Sequence, residues 1–173
     1  MLDEATNGLD EAQLGWISFG EPRGFVFFWG VGGLIRSHDG NWVQGYARGL
    51  GHTSSFMAGL WMLRDGLILA REMGLNNLII ELDALTVVTL MNNVSANLLM
   101  ETLLTDYRNL LKEISNKRVI HTYRENNHCA DASAKLGVQS LSSFVAFCNP
   151  PLVVESILAF DKASVHCNRL VNF

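Results

Sequence analysis

Residues 77–84 read Asn-Leu-Ile-Ile-Glu-Leu-Asp-Ala (NLIIELDA), and the order of elements along the chain hangs on them. Leu78, Ile79 and Ile80 form an unbroken apolar run between Gly74 and the Glu81-Leu82-Asp83 step. A run that short predicts a strand covered on both faces, as in the middle of an α/β sheet. Helices should therefore flank it. Upstream, Phe56, Leu60, Leu63, Leu67 and Ala70 recur at helical spacing. Thr53, Ser54 and Ser55 offer a cap for that helix, and Gly74 offers a stop. Downstream, the pattern predicts a short helix over 84–91. A break at Asn92-Asn93 follows, then an amphipathic helix with Leu99, Leu103, Tyr107, Leu110 and Ile114 on one stripe.

Further out, Gly24 to Ile35 (GFVFFWGVGGLI) is rich in Phe, Val and Gly and predicts an extended strand. His38-Asp39-Gly40-Asn41 is a turn signal, because Asp-Gly suits the tight turns of hairpins. Trp42 to Tyr46 reads as the return strand, and Leu14 to Phe19 as a short strand before both. Toward the C-terminus, Arg118 to Tyr123 predicts a strand. Asn126 or Asn127 can cap a helix over Cys129 to Leu136, which Gly137 should end. Asn149-Pro150-Pro151 breaks the chain before one more helix, 153–160. The expected architecture is α/β: a mixed central sheet, an antiparallel meander followed by parallel strands, flanked by helices. The chain divides into an N-terminal segment 1–22, a domain 23–141 and a tail 142–173.

Composition narrows the functions. With 173 residues and 49% apolar residues, the chain can bury a sizeable core. Seventeen acidic residues against 13 basic ones give a net charge of −4, so a broad phosphate-gripping surface is not expected. Any nucleic-acid contact should be local, weak or metal-mediated. Lys112, Lys117, Arg118 and Arg124 are expected on a solvated face. Cys129, Cys148 and Cys167 have no metal-ligand spacing and read as free thiols of a reducing compartment. An acidic N-terminus and the lack of a long apolar run imply an intracellular protein with no signal peptide and no membrane span.

Four blocks, in order, then resemble one family. GVGGLIRSHDGNWVQGYARG (30–49) is similar to the second and third strands of plant ribonuclease H domains of the reverse-transcriptase, retrotransposon type. SSFMAGLWMLRDGLILAREMG (54–74) resembles their first helix, NLIIELDA their fourth strand, and HTYRENNHCADASAKLG (121–137) their last strand and helix. The resemblance runs from about Gly30 to Leu141. It implies a ribonuclease H-like fold and an endonuclease that cuts the RNA strand of RNA–DNA hybrids with two Mg²⁺ or Mn²⁺ ions. Such ions require a cluster of hard oxygen ligands.

The family draws four carboxylates from strand one, helix one, the end of strand four and the last helix. By resemblance, Asp83 and Asp131 take the last two positions as catalytic metal ligands. His121, ten residues before Asp131, takes that of an assisting histidine. The helix-one Glu is replaced by Gly59, in Ala58-Gly59-Leu60. The family's Thr-Asp-Gly of strand one has no plain counterpart. Counting back from Gly20-Glu21-Pro22 puts Gly15 or Trp16 at the Asp. Asp10, Glu11 and Glu21 are the acids that could replace it.

Blander readings stand beside these. Asp83 could cap the next helix, Asp131 could pair with Lys135, and His121 could be a half-buried strand residue. Trp42, Trp61 and Phe56 read as core rather than base-stacking residues. The expected function is an impaired hybrid ribonuclease. The alternative is an inactive nucleic-acid-binding or protein-interaction remnant.

Overall fold

The computed structural model describes residues 14–20, 29–92, 101–123, 127–139 and 144–169. Asp10, Glu11, Glu21, Gly24–Phe28, Leu99, Arg124 and Asn126 lie outside these residues. The first strands are β1 (Leu14–Gly20), β2 (Trp29–Arg36) and β3 (Trp42–Gly51), paired antiparallel in sequence. The Asp-Gly turn between β2 and β3 closes as its residues require. Gly40 takes φ +78°, and its N–H donates to the Ser37 carbonyl at 2.8 Å. β3 runs five residues past the expected Tyr46, because β2 offers it a partner along its whole length.

Helix α1 (Ser55–Glu72) starts where Ser54 Oγ accepts the Met57 N–H at 3.2 Å. It stops at Gly74 (φ +67°), whose N–H donates to the Arg71 carbonyl while that of Leu75 donates to Ala70. Both bonds satisfy carbonyls that a helix end leaves open. Then follow β4 (Asn77–Leu82), α2 (Leu85–Asn92), α3 (Glu101–Glu113), β5 (Asn116–His121), α4 (His128–Gln139), β6 (Val145–Phe147) and α5 (Leu152–Arg169).

The sheet order is β5-β4-β1-β2-β3-β6. β1, β4 and β5 run parallel, while β2, β3 and β6 pair antiparallel. This is the mixed sheet that the sequence predicts. Residues 145–147, read as part of a tail, supply its sixth strand on the open edge of β3.

Two cores form, one on each face. On one, Val31, Ile35, Leu78, Ile80 and Leu82 of the strands meet Leu60, Leu63 and Leu67 of α1. On the other, Leu34 meets Cys129, Ala130 and Ala132 of α4, with Val154 of α5 behind them. Gly137 does not end α4, which continues to Gln139. A Cβ on Gly137 would stand 2.6 Å from the Arg48 carbonyl oxygen, so glycine there permits helix-on-strand contact. Cys129 and Cys148 are free thiols. No described helix is long and apolar enough to cross a membrane.

Candidate active site

Ligand sites of α/β sheets gather where parallel strands end, and three parallel strands end together in this protein. Phe19 of β1, Leu82 of β4 and His121 of β5 share one rung. The Thr122 N–H then donates to the Leu82 carbonyl at 2.9 Å, which ties the two strand ends together. Asp83 is the next residue on β4. The first carbonyl of α2 belongs to Ala84, which accepts from Val87 (2.9 Å) and Val88 (3.1 Å). Ala84 thus holds the cap position, and Asp83 stands one residue outside the helix.

The chain leaves β5 at this end and enters α4 six residues later. Asp131 lies in the first turn of α4, where its N–H donates to the Asn127 carbonyl at 3.1 Å. Of the two capping candidates, Asn127 supplies that first carbonyl, and its side chain is buried. A carboxylate in a first turn is favoured by the positive end of the helix dipole, whatever else it does. Asp83 and Asp131 each keep one carboxylate oxygen, Oδ1, buried.

β3 runs in the same direction as β1, two antiparallel steps away, and α1 opens just beyond it. That brings Gly59, buried in the second turn of α1, to the same end. Asp83, Asp131, His121 and Gly59 are therefore all carried by elements that end or begin at one edge of the sheet.

The strand-one position needs correcting. Gly15 pairs with Leu78 and Trp16 with Ile79, well short of Asp83. The final rung joins Phe19 to Leu82, and its continuation sets Gly20 beside Asp83. On the other side, Phe19 pairs with Gly33 and Gly20 with Gly32. β1 ends at Phe19-Gly20, level with Leu82-Asp83, and none of its residues is an aspartate or a glutamate.

Glu81, two residues before Asp83, faces Arg36 across β1 (Nη2 to Oε2, 3.5 Å), and the Arg36 side chain is buried. Among the described residues, no three His, Cys, Asp or Glu side chains come together as a metal cage. Lys117 and Arg118 begin β5 at the opposite end of the sheet. Lys117 Nζ donates to the Ile114 carbonyl at 2.9 Å, just past α3. Lys112 precedes them in the last turn of α3. Trp42 and Phe56 pack on the two cores, and the Trp42 Nε1–H donates to the Cys148 carbonyl at 3.2 Å. Trp61 lies under the guanidinium groups of Arg48 and Arg64, each 5.3 Å from its ring centre.

Residues 30–137 match a family model described as reverse transcriptase-like. A curated protein of Arabidopsis thaliana, "Putative ribonuclease H protein At1g65750", is 28% identical over 162 residues, which cover 87% of this chain. The chain spans about a quarter (26%) of that relative's length. Among solved structures, the N-terminal RNase H domain of rv2228c from Mycobacterium tuberculosis aligns with TM-score 0.64 at 20% identity, covering 73% of this chain and 94% of that one. RNase H1 of the archaeon Halobacterium salinarum aligns with TM-score 0.62 at 20% identity, covering 73% and 96%. LC11-RNase H1, solved in complex with an RNA/DNA hybrid, aligns with TM-score 0.60 at 21% identity, covering 75% and 99%.

Proposed function

Because the chain belongs to the reverse transcriptase-like family, whose fold is that of ribonuclease H, we propose that it engages RNA–DNA hybrid at the carboxyl ends of β1, β4 and β5 and cleaves it weakly or not at all. One observation carries this reading. The pairing register sets Phe19-Gly20 at the level of Leu82-Asp83, while α1 brings Gly59 to the same end. Of four positions that call for carboxylates, two have them.

Two divalent ions bring four positive charges, and a two-metal site works by clamping both the attacking and the leaving oxygen. Asp83 and Asp131 supply two negative charges, which does not fit a pair of ions. It does fit a single Mg²⁺ or Mn²⁺, since Mg²⁺ is commonly held by one or two carboxylates and keeps several waters. Such an ion would offer a Lewis acid to one phosphate oxygen and would bind weakly. Asp83 and Asp131 would hold it, and His121 at the end of β5 would stand beside them. With a net charge of −4, affinity for the hybrid should be low.

Removing one well-placed electrostatic contact costs ~10²–10³ in rate, and ligands that act as a unit do not add. The test is cleavage of a labelled hybrid with Mg²⁺ and with Mn²⁺. The unaltered protein and Gly59→Glu should both be silent. Gly20→Asp combined with Gly59→Glu should gain Mg²⁺-dependent cleavage that Asp83→Asn abolishes. Robust cleavage by the unaltered protein, lost on Asp83→Asn, would sink the impaired reading and point to Asp10, Glu11 or Glu21. A second reading, a protein-interaction remnant, is favoured by the exposed Leu152, Val153 and Phe160 of α5. It would gain if the protein bound no hybrid at all.

A further inference from the structure

Tyr123 stands two residues past the end of β5 and is 70% exposed, whereas Tyr46 and Tyr107 are buried. Its ring has a fixed neighbour. The His121 ring meets it edge-on, with centroids 5.3 Å apart and planes at 80°. His121 is itself tied to the sheet through its rung with Leu82 and through the bond from Thr122 to the Leu82 carbonyl. A T-shaped contact covers at most one face of the tyrosine ring. A flat aromatic face is thus held toward solvent at the end of the sheet that carries Asp83.

The arrangement recurs at the other end of the connection from β5 to α4. Phe160 is 64% exposed and meets the ring of His128, the first residue of α4, edge-on at 6.0 Å. Two aromatic rings, each with a histidine neighbour, stand near the two ends of the connection from β5 to α4.

The ligand chemistry follows from charge. Among the described residues, Lys112, Lys117 and Arg118 lie at the opposite end from Tyr123, and the net charge of the chain is −4. Phosphate contacts are then a poor source of affinity, whereas stacking on an aromatic ring needs no cation. A base inside a duplex has both faces stacked already, so an unpaired base is the one with a face to offer. A ring with a restricted position also loses less freedom on binding.

We infer that Tyr123 is a stacking platform for an unpaired nucleobase, and that single-stranded RNA crosses the carboxyl ends of β4 and β5. This rests on the nucleic-acid reading of the same site and adds single-stranded RNA to what that site takes. Fluorescence anisotropy with a labelled single-stranded RNA, and with that RNA annealed to DNA, tests it. The protein should bind the single strand. Tyr123→Ala should weaken that binding ~5- to 100-fold, and Tyr123→Phe should keep it within ~2-fold. The loss should be the same at low and high salt, unlike that from removing a phosphate contact. Leu152→Ala removes an apolar side chain that is 86% exposed where α5 begins, at the opposite end, and should change nothing. RNA carrying 5-iodouridine should photo-crosslink to the peptide containing Tyr123.

Unchanged single-strand binding in Tyr123→Ala, with its fold intact by circular dichroism, overturns the platform. Binding of the hybrid but not of the single strand also overturns it, and leaves the hybrid reading standing. Binding of neither overturns both.

Discussion

The two faces of the sheet are built on opposite principles. Toward α1, the gap is filled by large side chains: Ile35, Leu60, Leu63, Leu67, Ile80 and Leu82 are all buried in one cluster. Toward α4, the gap is closed by leaving side chains out. A Cβ on Gly32 would stand 2.5 Å from the Ala134 nitrogen, and one on Gly30 would stand 2.5 Å from the Val138 nitrogen. Gly137 returns the favour from the helix, against the Arg48 backbone. Leucines can shift rotamer and share a void among neighbours, but backbone against backbone cannot give. The α1 face therefore sets how much the fold gains from burial. The α4 face sets where α4 lies, and with it the position of Asp131 relative to the strand that carries Asp83.

Gly32→Val should break the comparison hardest. Its new atoms meet main chain, so the cost should exceed the ~1–3 kcal/mol of ordinary overpacking, and urea denaturation should show no cooperative transition. A midpoint close to that of the unaltered protein would mean that α4 can slide, and that the glycines do not position it.

Leu63→Ala cuts into the other face. It should cost ~2–5 kcal/mol for a leucine removed from a packed core, with the denaturant slope unchanged and RNA binding retained. A larger effect on binding than on stability would show that the filled face also positions the site.

Arg48 joins the faces and gives the smallest expected effect. Its backbone supports Gly137, while its guanidinium grips Asp65 of α1 through two bonds, Nε to Oδ2 at 2.5 Å and Nη2 to Oδ1 at 3.1 Å. The Asp65 side chain is only 2% exposed. Burial raises its pKa from the ordinary 3.8, and outweighs the lowering by Arg48 and Arg64. The folded state thus holds the Asp65 proton more tightly than the unfolded chain does. The stability from that proton is fully present below the unfolded value. It is lost as pH rises through the folded value. The stability of the unaltered protein minus that of Asp65→Asn should therefore fall as pH rises from 3.8, then level off. A difference that rises over that range would mean that the arginines prevail over burial.

Phe144 and β6 add to the same corner. The Phe144 ring stacks on Tyr46 at 5.6 Å and lies 5.3 Å from the Arg48 guanidinium, while the Tyr46 hydroxyl donates to the Met62 carbonyl. Residues 144–147 fall past the end of the family match, and nothing in their local pattern pointed to this contact. A three-residue strand has too little periodicity to read, and it exists because the edge of β3 offers open backbone groups.

Local chemistry was enough for the elements and for part of the site. An apolar run bounded by Gly74 and Asp83, a period of 3.6 over 56–70, an Asp-Gly turn and a serine cap each act within a few residues. They determine strand, helix and turn wherever tertiary contacts do not oppose them. By resemblance the same reach singled out Asp83, Asp131 and Gly59, which the structure carries at one end of the sheet. It failed at β1 and at Gly137. Residue 19 is set against residue 82 by hydrogen bonds between strands some sixty positions apart, and a slip of one residue would turn every side chain to the other face. Counting along the chain carries no information about that pairing. Gly137 looked like a helix stop because glycine is the usual residue there. It stands inside the helix, and glycine is needed there because the backbone of Arg48, nearly ninety positions earlier, runs too close for a side chain. Tertiary structure alone decided register and close approach, since both depend on which backbone lies alongside.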